Sequence, residues 1–102
     1  MTLQFSLAAV REIDEAADYY ENQEAGLGQR FFKELNRSLD LILEFPEAWA
    51  PLSKRSRRCV MRRFPYQIIY SVQQDLVTVV TVVHQRRDPE RWQTLIRNPD
   101  RS

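Results

Sequence analysis

Two apolar runs separated by a short polar stretch dominate the last third of the chain. In residues 66–72 every second position is apolar, whereas residues 76–83 are apolar on both faces of an extended strand. Both runs are rich in β-branched and aromatic residues, and the polar residues 73–75 between them are typical of a turn. The pattern predicts a β-hairpin whose second strand lies in the interior of a sheet, covered on both sides.

Helical periodicity replaces this pattern in the first half of the chain. The alternating residues 3–7 predict a short strand with one buried face. Apolar positions then recur at helical spacing over residues 8–22 and again over residues 27–45, which predicts two helices. Gly26 and Pro46 are suited to end the first and second helix. Because the connection is short, we expect an antiparallel helical hairpin with solvated, acidic outer faces.

These elements together predict an α+β fold with segregated layers. Residues 59–64 read as a further strand, so the expected order is an N-terminal strand, the helical hairpin and a three-stranded antiparallel sheet. A short C-terminal segment begins at Pro89. A length of 102 residues is enough for one core, and we treat residues 1–102 as a single domain.

Composition excludes several classes of site. Cys59 is the only cysteine and His84 the only histidine, so the chain alone offers neither an internal disulfide nor an ordinary four-ligand zinc site. We therefore expect no metal and no cofactor. No apolar run reaches the roughly 18 residues of a membrane span, and no signal peptide is recognisable. The sequence thus indicates a cytoplasmic protein that does not associate with membranes.

The net charge of +1 conceals a strong asymmetry between the two halves. Residues 1–50 contain four basic and ten acidic residues, a formal charge of −6. Residues 51–102 contain eleven basic and four acidic residues, a formal charge of +7, and ten of the eleven are arginine. Arginine binds phosphate and carboxylate groups in a bidentate manner. The second half is therefore expected to bind a polyanion or an acidic partner.

Pairing the hairpin in register gathers these arginines at its open end. With a three-residue loop Tyr66 faces Val82 and Phe64 faces His84, and a two-residue loop shifts each pair by one position. In either register one end of the sheet collects the same candidate site residues, which are Arg62, Arg63, Tyr66, His84, Arg86 and Arg87.

Clustered guanidinium groups repel one another unless an anion or an acidic partner relieves the repulsion. Asp88 and Glu90 could provide that relief from within the chain. His84 could serve as a general base or only as a hydrogen-bond donor. Tyr66 and Trp92 could stack against bases or simply fill space.

Several motifs in this order are similar to those of one known family. They are the arginine-rich approach to FPYQIIY at residues 64–70, VHQRRDPERW at 83–92, AADYY at 16–20 and LEFP at 43–46. With these motifs nearly the whole chain resembles the RelE/ParE superfamily of bacterial type II toxins, often called plasmid stabilisation proteins.

The resemblance implies a growth-inhibiting toxin that a cognate antitoxin wraps and neutralises, with the antitoxin setting the oligomeric state. One branch of the superfamily cleaves messenger RNA on the ribosome, and the other poisons DNA gyrase. In the ribonuclease branch an arginine commonly follows the first tyrosine of the strand motif, and a late tyrosine is frequent. This chain has Gln67 and Trp92 at those positions, which favours the gyrase branch.

The ribonuclease alternative implies roles for specific residues. A phosphate would be clamped by Arg62, Arg63, Arg86 and Arg87 while His84 accepts a proton, and Tyr66 and Trp92 would help to bind the target. A third alternative is a nucleic-acid-binding module without toxicity. Whether the protein is an enzyme is thus open at the level of sequence.

Overall fold

The computed structural model describes residues 1–86, which form two helices and a five-stranded mixed sheet. In chain order the elements are β1 (Thr2–Phe5), α1 (Leu7–Gln23), α2 (Leu27–Glu44), β2 (Ala50–Pro51), β3 (Ser56–Val60), β4 (Tyr66–Gln73) and β5 (Leu76–His84). The strand order is β1-β5-β4-β3-β2, with β1 parallel to β5 and the other neighbours antiparallel.

The predicted α+β class is confirmed, but the sheet is larger than expected. Strands β3, β4 and β5 are the three predicted antiparallel strands, and β1 and β2 extend the sheet at its two edges. The predicted strand over residues 59–64 was placed too late, because β3 ends at Val60 and residues 61–65 connect it to β4. The segment expected from Pro89 lies outside the described residues.

Helix α1 begins where a side chain caps it. The Ser6 hydroxyl oxygen accepts a hydrogen bond from the Ala9 amide at 3.0 Å, so the chain leaves the strand earlier than the alternating pattern predicted. Helix α2 follows its prediction closely. Its apolar stripe is buried against the sheet at Phe31, Leu35, Leu39 and Ile42.

A single carboxylate organises the turn between the two helices. Glu21 accepts hydrogen bonds from the amides of Gly26 at 3.0 and 3.1 Å and of Gly28 at 3.0 Å. These bonds satisfy amides at the start of α2 that have no partner within the helix, and the negative charge suits the positive helix terminus. Gly26 has a left-handed φ of 89°, so it serves the start of α2 in addition to separating the helices.

The β4–β5 turn is shorter than the three-residue loop in the predicted register. Gln73 pairs with Leu76, which leaves Gln74 and Asp75 as a two-residue turn. Gln74 adopts a left-handed φ of 56°, as tight hairpin turns require. Each cross-strand pair next to the turn is therefore shifted by one residue from the three-residue register.

A β-bulge shifts the register a second time. Tyr70 pairs with Val79 and Ile69 pairs with Thr81, so Val80 is an extra residue in β5. Beyond the bulge every pair lies one residue further along β5. The sequence pattern gave no sign of the bulge, because the strand is apolar on both sides of it.

Helix α1 binds β5 beyond the point where β1 ends. The Ser6 hydroxyl donates to the Val80 carbonyl oxygen at 2.6 Å. Six residues further along the chain, Glu12 accepts hydrogen bonds from the Thr81 hydroxyl at 2.7 and 2.8 Å and from the Val82 amide at 3.1 Å. The side chains of Ser6 and Glu12 thus form hydrogen bonds with polar groups of β5 beyond the end of β1.

Apolar side chains are buried on both faces of the sheet. The larger cluster lies between the helices and the sheet and includes Phe31 and Ile68. A smaller cluster of Ile69, Val83 and Leu52 lies on the opposite face. Within residues 1–86, no helix is long and apolar enough to cross a bilayer, and no three His, Cys, Asp or Glu side chains are grouped as metal ligands.

The close approach of the helices at Gly28 should make this position sensitive to substitution. A Cβ atom there would lie 2.8 Å from the Ala17 carbonyl oxygen, so the backbone would have to move. We expect Gly28→Ala to lower the free energy of unfolding by about 1–3 kcal/mol in urea titrations. The exposed Gln29→Ala is the matched control. Equal stability of the two variants would contradict this expectation, because it would show that the helices can move apart without lowering the free energy of unfolding.

Burial raises the pKa of the Cys59 thiol from 9.0 to about 11. Because the folded-state value is the higher one, the thiol stabilises the fold fully below pH 9 and loses this contribution as the pH rises towards 11. A difference of about two between the folded and unfolded pKa values corresponds to about 2–3 kcal/mol in the free energy of unfolding. In urea titrations at pH 8, 9 and 10 under reducing conditions, Cys59→Ala should lose stability less steeply than the natural chain. Parallel curves would contradict this assignment.

Candidate functional site

A tight loop carries the two arginines that precede β4. The Met61 amide donates to the Tyr66 carbonyl oxygen at 2.9 Å, and the Tyr66 amide donates to the Phe64 carbonyl oxygen at 2.8 Å. Arg63 takes a left-handed φ of 69°, which lets the chain reverse in so few residues. Phe64 is buried, while Arg62 and Arg63 are exposed.

The end of β5 lies directly beside this loop. The Gln85 amide donates to the Pro65 carbonyl oxygen at 2.8 Å, which fixes residues 84–86 next to the arginine loop. The register also changes a predicted pair, because Tyr66 pairs with His84 and not with Val82. Phe64 consequently does not face His84 as the three-residue loop predicted.

Tyr66 and His84 form the floor of this end of the sheet. Their rings are in edge-to-face contact with centroids 5.3 Å apart. Tyr66 is only 7% exposed and also contacts Tyr20 and Phe31, so its ring is mainly an interior contact. The space-filling alternative describes this geometry better than an open stacking face does.

His84 is half-buried and its Nδ1 accepts a hydrogen bond from the Arg86 amide at 3.1 Å. An accepting Nδ1 means that the proton of the neutral ring resides on Nε2. In this arrangement Nε2 is a donor. To accept a proton from a substrate at Nε2, the ring would first have to change tautomer and release the Arg86 amide.

Arg63 points towards α2 and not along the sheet. Its Nε lies 3.9 Å from Oε1 of Glu34, a residue that is only 7% exposed. The Arg63 side chain itself is 79% exposed, so the ion pair is long and well solvated and contributes little to stability. The pair nevertheless marks one side of a groove between α2 and the arginine loop.

We call this depression the cationic groove, and its volume is about 670 Å³. Four basic side chains line it together with one acid and apolar residues. The lining residues are Arg30, Lys33, Arg37, Arg63, Glu34, Tyr20, Leu27, Phe64 and Pro65. It lies at the same end of the sheet as the predicted site, on the side of the helices.

Sequence reasoning missed the contribution of α2 to this groove. Arg30, Lys33 and Arg37 belong to the acidic half of the chain, and the outer faces of both helices were expected to be acidic. That expectation was wrong for one face of α2. The spacing of three and then four residues places the three side chains on one stripe of a helix, and this signal was available in the sequence.

The structure brings the described site residues to one end of the sheet and divides them between two surfaces. Tyr66, His84 and Arg86 belong to the sheet end, and Arg63 belongs to the cationic groove. Arg62 is an exposed residue of the loop between β3 and β4. Arg87 and Trp92 lie outside the described residues. The functional roles of all these side chains stay predictions.

Known proteins share both the sequence pattern and the fold. A family model described as the ParE toxin of the type II toxin–antitoxin system parDE matches residues 3–89. A protein of Sinorhizobium fredii, Y4kP, whose name assigns it provisionally to the toxins, is 29% identical over 83 residues. The match covers 80% of this chain and 85% of that protein.

Three solved structures have the same fold at low sequence identity. The intact E. coli RelBE toxin–antitoxin complex matches with a TM-score of 0.64 and 21% identity, covering 84% of this chain and 98% of that chain. The isolated E. coli RelE toxin matches with a TM-score of 0.63 and 22% identity, covering 94% of this chain and 96% of that chain. The chromosomal ParDE system of P. aeruginosa matches with a TM-score of 0.61 and 12% identity, covering 82% of this chain and 95% of that chain.

Proposed function

The chain belongs to the ParE toxin family of type II toxin–antitoxin systems, and from this membership we propose that it stops bacterial growth by poisoning DNA gyrase. The observation that carries the proposal is the match of the ParE family model to residues 3–89. The cytoplasm, where gyrase acts, is the compartment that this function requires.

The surroundings of Gln67 support the gyrase target over messenger RNA. The resemblance described above places an arginine at this position in the ribonuclease branch. Here the residue is uncharged and its side chain is only 3% exposed, on the sheet face opposite the helices. A buried amide supplies no positive charge to a phosphate in the transition state.

A test of the proposal begins with expression in a bacterial host without an antitoxin, which we expect to arrest growth. Purified protein should then inhibit gyrase supercoiling in vitro while cellular messenger RNA remains intact. Arg86→Ala should weaken the inhibition about tenfold, as for one central charged contact. Arg11→Ala, which removes an exposed arginine from α1, should leave it unchanged. Normal growth on expression would refute every toxin assignment and leave the non-toxic nucleic-acid-binding alternative.

The second candidate function is ribosome-dependent cleavage of messenger RNA. The observation that favours it is the placement of His84 and Arg86 beside the arginine loop. In this mechanism the arginines stabilise phosphate charge and His84 accepts the proton of the attacking 2′-hydroxyl. The bond from the Arg86 amide to Nδ1 opposes it, because Nε2 then carries a proton.

Messenger RNA cleavage on purified ribosomes separates the two candidates. If the second function holds, Arg86→Ala should reduce the rate about 10²–10³-fold, the usual effect of losing one donor to a developing charge. His84→Ala should do the same, and Arg11→Ala should have no effect. Absence of any cleavage by the natural chain, together with inhibited supercoiling, would leave the gyrase mechanism alone.

A cognate antitoxin is the second part of the proposal. Two of the matching structures are of toxin–antitoxin systems. The exposed face of α1 also fits a protein partner, because Leu7 is 67% exposed and Val10, three residues later, is 43% exposed. Apolar side chains grouped on a surface are typical of protein interfaces.

Mutation of this face should release the toxin from its antitoxin. We expect Val10→Asp to weaken antitoxin binding by about tenfold or more, because it places a charge in an apolar contact. Co-expression of the antitoxin should then fail to restore growth, although the variant remains toxic. Asp14→Asn, on the exposed surface of the same helix, is the control. Unchanged affinity of Val10→Asp would place the antitoxin on another surface.

A further inference from the structure

The valines of β5 include two neighbouring pairs, Val79–Val80 and Val82–Val83. Successive residues of a strand point to opposite faces of the sheet, so Val82 belongs to the larger apolar cluster and Val83 to the smaller one. A slip of the strand by one residue would move each of the two valines to the face that the other now occupies. Because their side chains are identical, burial of apolar surface does little to fix the register of this part of β5.

The bulge decides which of two registers the end of β5 adopts. In the bulged register, which the structure shows, Tyr66 pairs with His84. If β5 continued without the extra residue Val80, Tyr66 would pair with Val83. We call this second arrangement the slipped register. In it His84 would turn to the opposite face of the sheet, and the end of β5 would be displaced by about 3.3 Å, the rise of one residue.

Polar contacts from the start of α1 favour the bulged register. At the bulge itself, the Ser6 hydroxyl donates to the Val80 carbonyl oxygen. Directly after the bulge, the Glu12 carboxylate accepts hydrogen bonds from the Thr81 hydroxyl and the Val82 amide. Thr81 is 0% exposed, so its hydroxyl needs a partner within the protein, and Glu12 supplies one.

Thr81 also disfavours the slipped register directly. In the bulged register it pairs with Ile69, whereas in the slipped register it would pair with Ile68, which belongs to the larger apolar cluster. A hydroxyl buried among apolar side chains without a hydrogen bond is unfavourable. The choice between the two registers therefore depends on one carboxylate and one hydroxyl more than on apolar packing.

We propose that the end of β5 has two registers and that Glu12 is a positioning residue which, through Thr81, holds the register that assembles the candidate site. The hydrogen bond from the Gln85 amide to the Pro65 carbonyl oxygen belongs to the same register. Loss of the Glu12 contact displaces the sheet end, while the pairing next to the β4–β5 turn is unchanged. The two registers do not depend on the target of the toxin, but their effect on inhibition rests on the gyrase function proposed above.

NMR spectroscopy of the purified full-length chain measures the register directly. The main-chain protons of Gln67 should have their strongest contacts across β5 with Val83 in the bulged register and with Val82 in the slipped one. The natural chain should show the first set of contacts. In Thr81→Val, which removes the hydroxyl and keeps the shape of the side chain, a second set of signals with the slipped contacts should appear for roughly a tenth of the molecules or more. Thr78→Val, on the same strand before the bulge, is the control and should show one set.

Variants of Glu12 test the acceptor. Glu12→Ala should add the slipped contacts as Thr81→Val does, because the acceptor is lost. Glu12→Gln should return to the bulged contacts alone, because its amide oxygen can still accept a hydrogen bond from the Val82 amide. Glu15→Ala, which removes an exposed acid from the same helix, is the matched control. A purely structural role of Glu12 would lower stability without adding a second set of signals.

Inhibition of gyrase supercoiling links the register to the site. The combined variant Glu12→Ala/Thr81→Val should require about tenfold more protein for half-inhibition, as expected when only about a tenth of the molecules have the assembled site. The inference is overturned if Thr81→Val and Glu12→Ala both show only the bulged contacts, or if slipped molecules inhibit as well as the natural chain.

The isosteric variant keeps the test valid if Glu12→Ala does not fold, because Thr81→Val places an apolar side chain of the same shape in a buried position. The two readouts are also separate. If the natural chain does not inhibit gyrase, the function proposed above fails, whereas the NMR contacts of Thr81→Val still decide whether the second register exists.

Discussion

The double pairing of β5 is the constraint on which the described structure depends. This strand lies between β1 and β4, and helix α1 packs against it and satisfies its backbone beyond the end of β1. Its far end carries His84 and is fixed to the arginine loop through the Gln85 amide. A change in the register of β5 would therefore alter the N-terminal strand, the position of α1 and the candidate site together. The bulge at Val80 is part of this arrangement, because it sets which residue pairs with Tyr66.

Folding also changes the meaning of the charge asymmetry in the sequence. As a linear pattern, the acidic half and the basic half look like two separate surfaces. In three dimensions Arg30, Lys33 and Arg37 from the acidic half meet Arg63 from the basic half across one groove. Net charge by segment is therefore a poor guide here, since a helix displays its side chains by angular position and not by sequence order. Glu34 is the one acidic residue of residues 1–50 that lines this groove.

The elements that could be predicted are those set by local periodicity. The buried stripe of α2 follows directly from apolar residues spaced three and four apart, and β4 follows from alternation. The parallel pairing of β1 with β5, the bulge at Val80 and the direction of Arg63 could not be predicted in this way. Each depends on contacts between residues distant in sequence, and nothing in a short window specifies them. For the same reason the sequence located the sheet end of the candidate site but not the groove beside it.

The pairing of Thr2 with Leu76 has a consequence for the synthesis of the protein. The first strand leaves the ribosome long before its partner exists, so the sheet cannot be completed until almost the whole chain has been made. Contacts of such high sequence separation form slowly, since a long loop must close before they are gained. The helical hairpin can form early because its contacts are local. The β4–β5 hairpin that carries the candidate site is local as well, but its hydrogen bonds with Glu12 of α1 form only after the long loop has closed. A newly made chain therefore passes through an interval in which the site lacks this support.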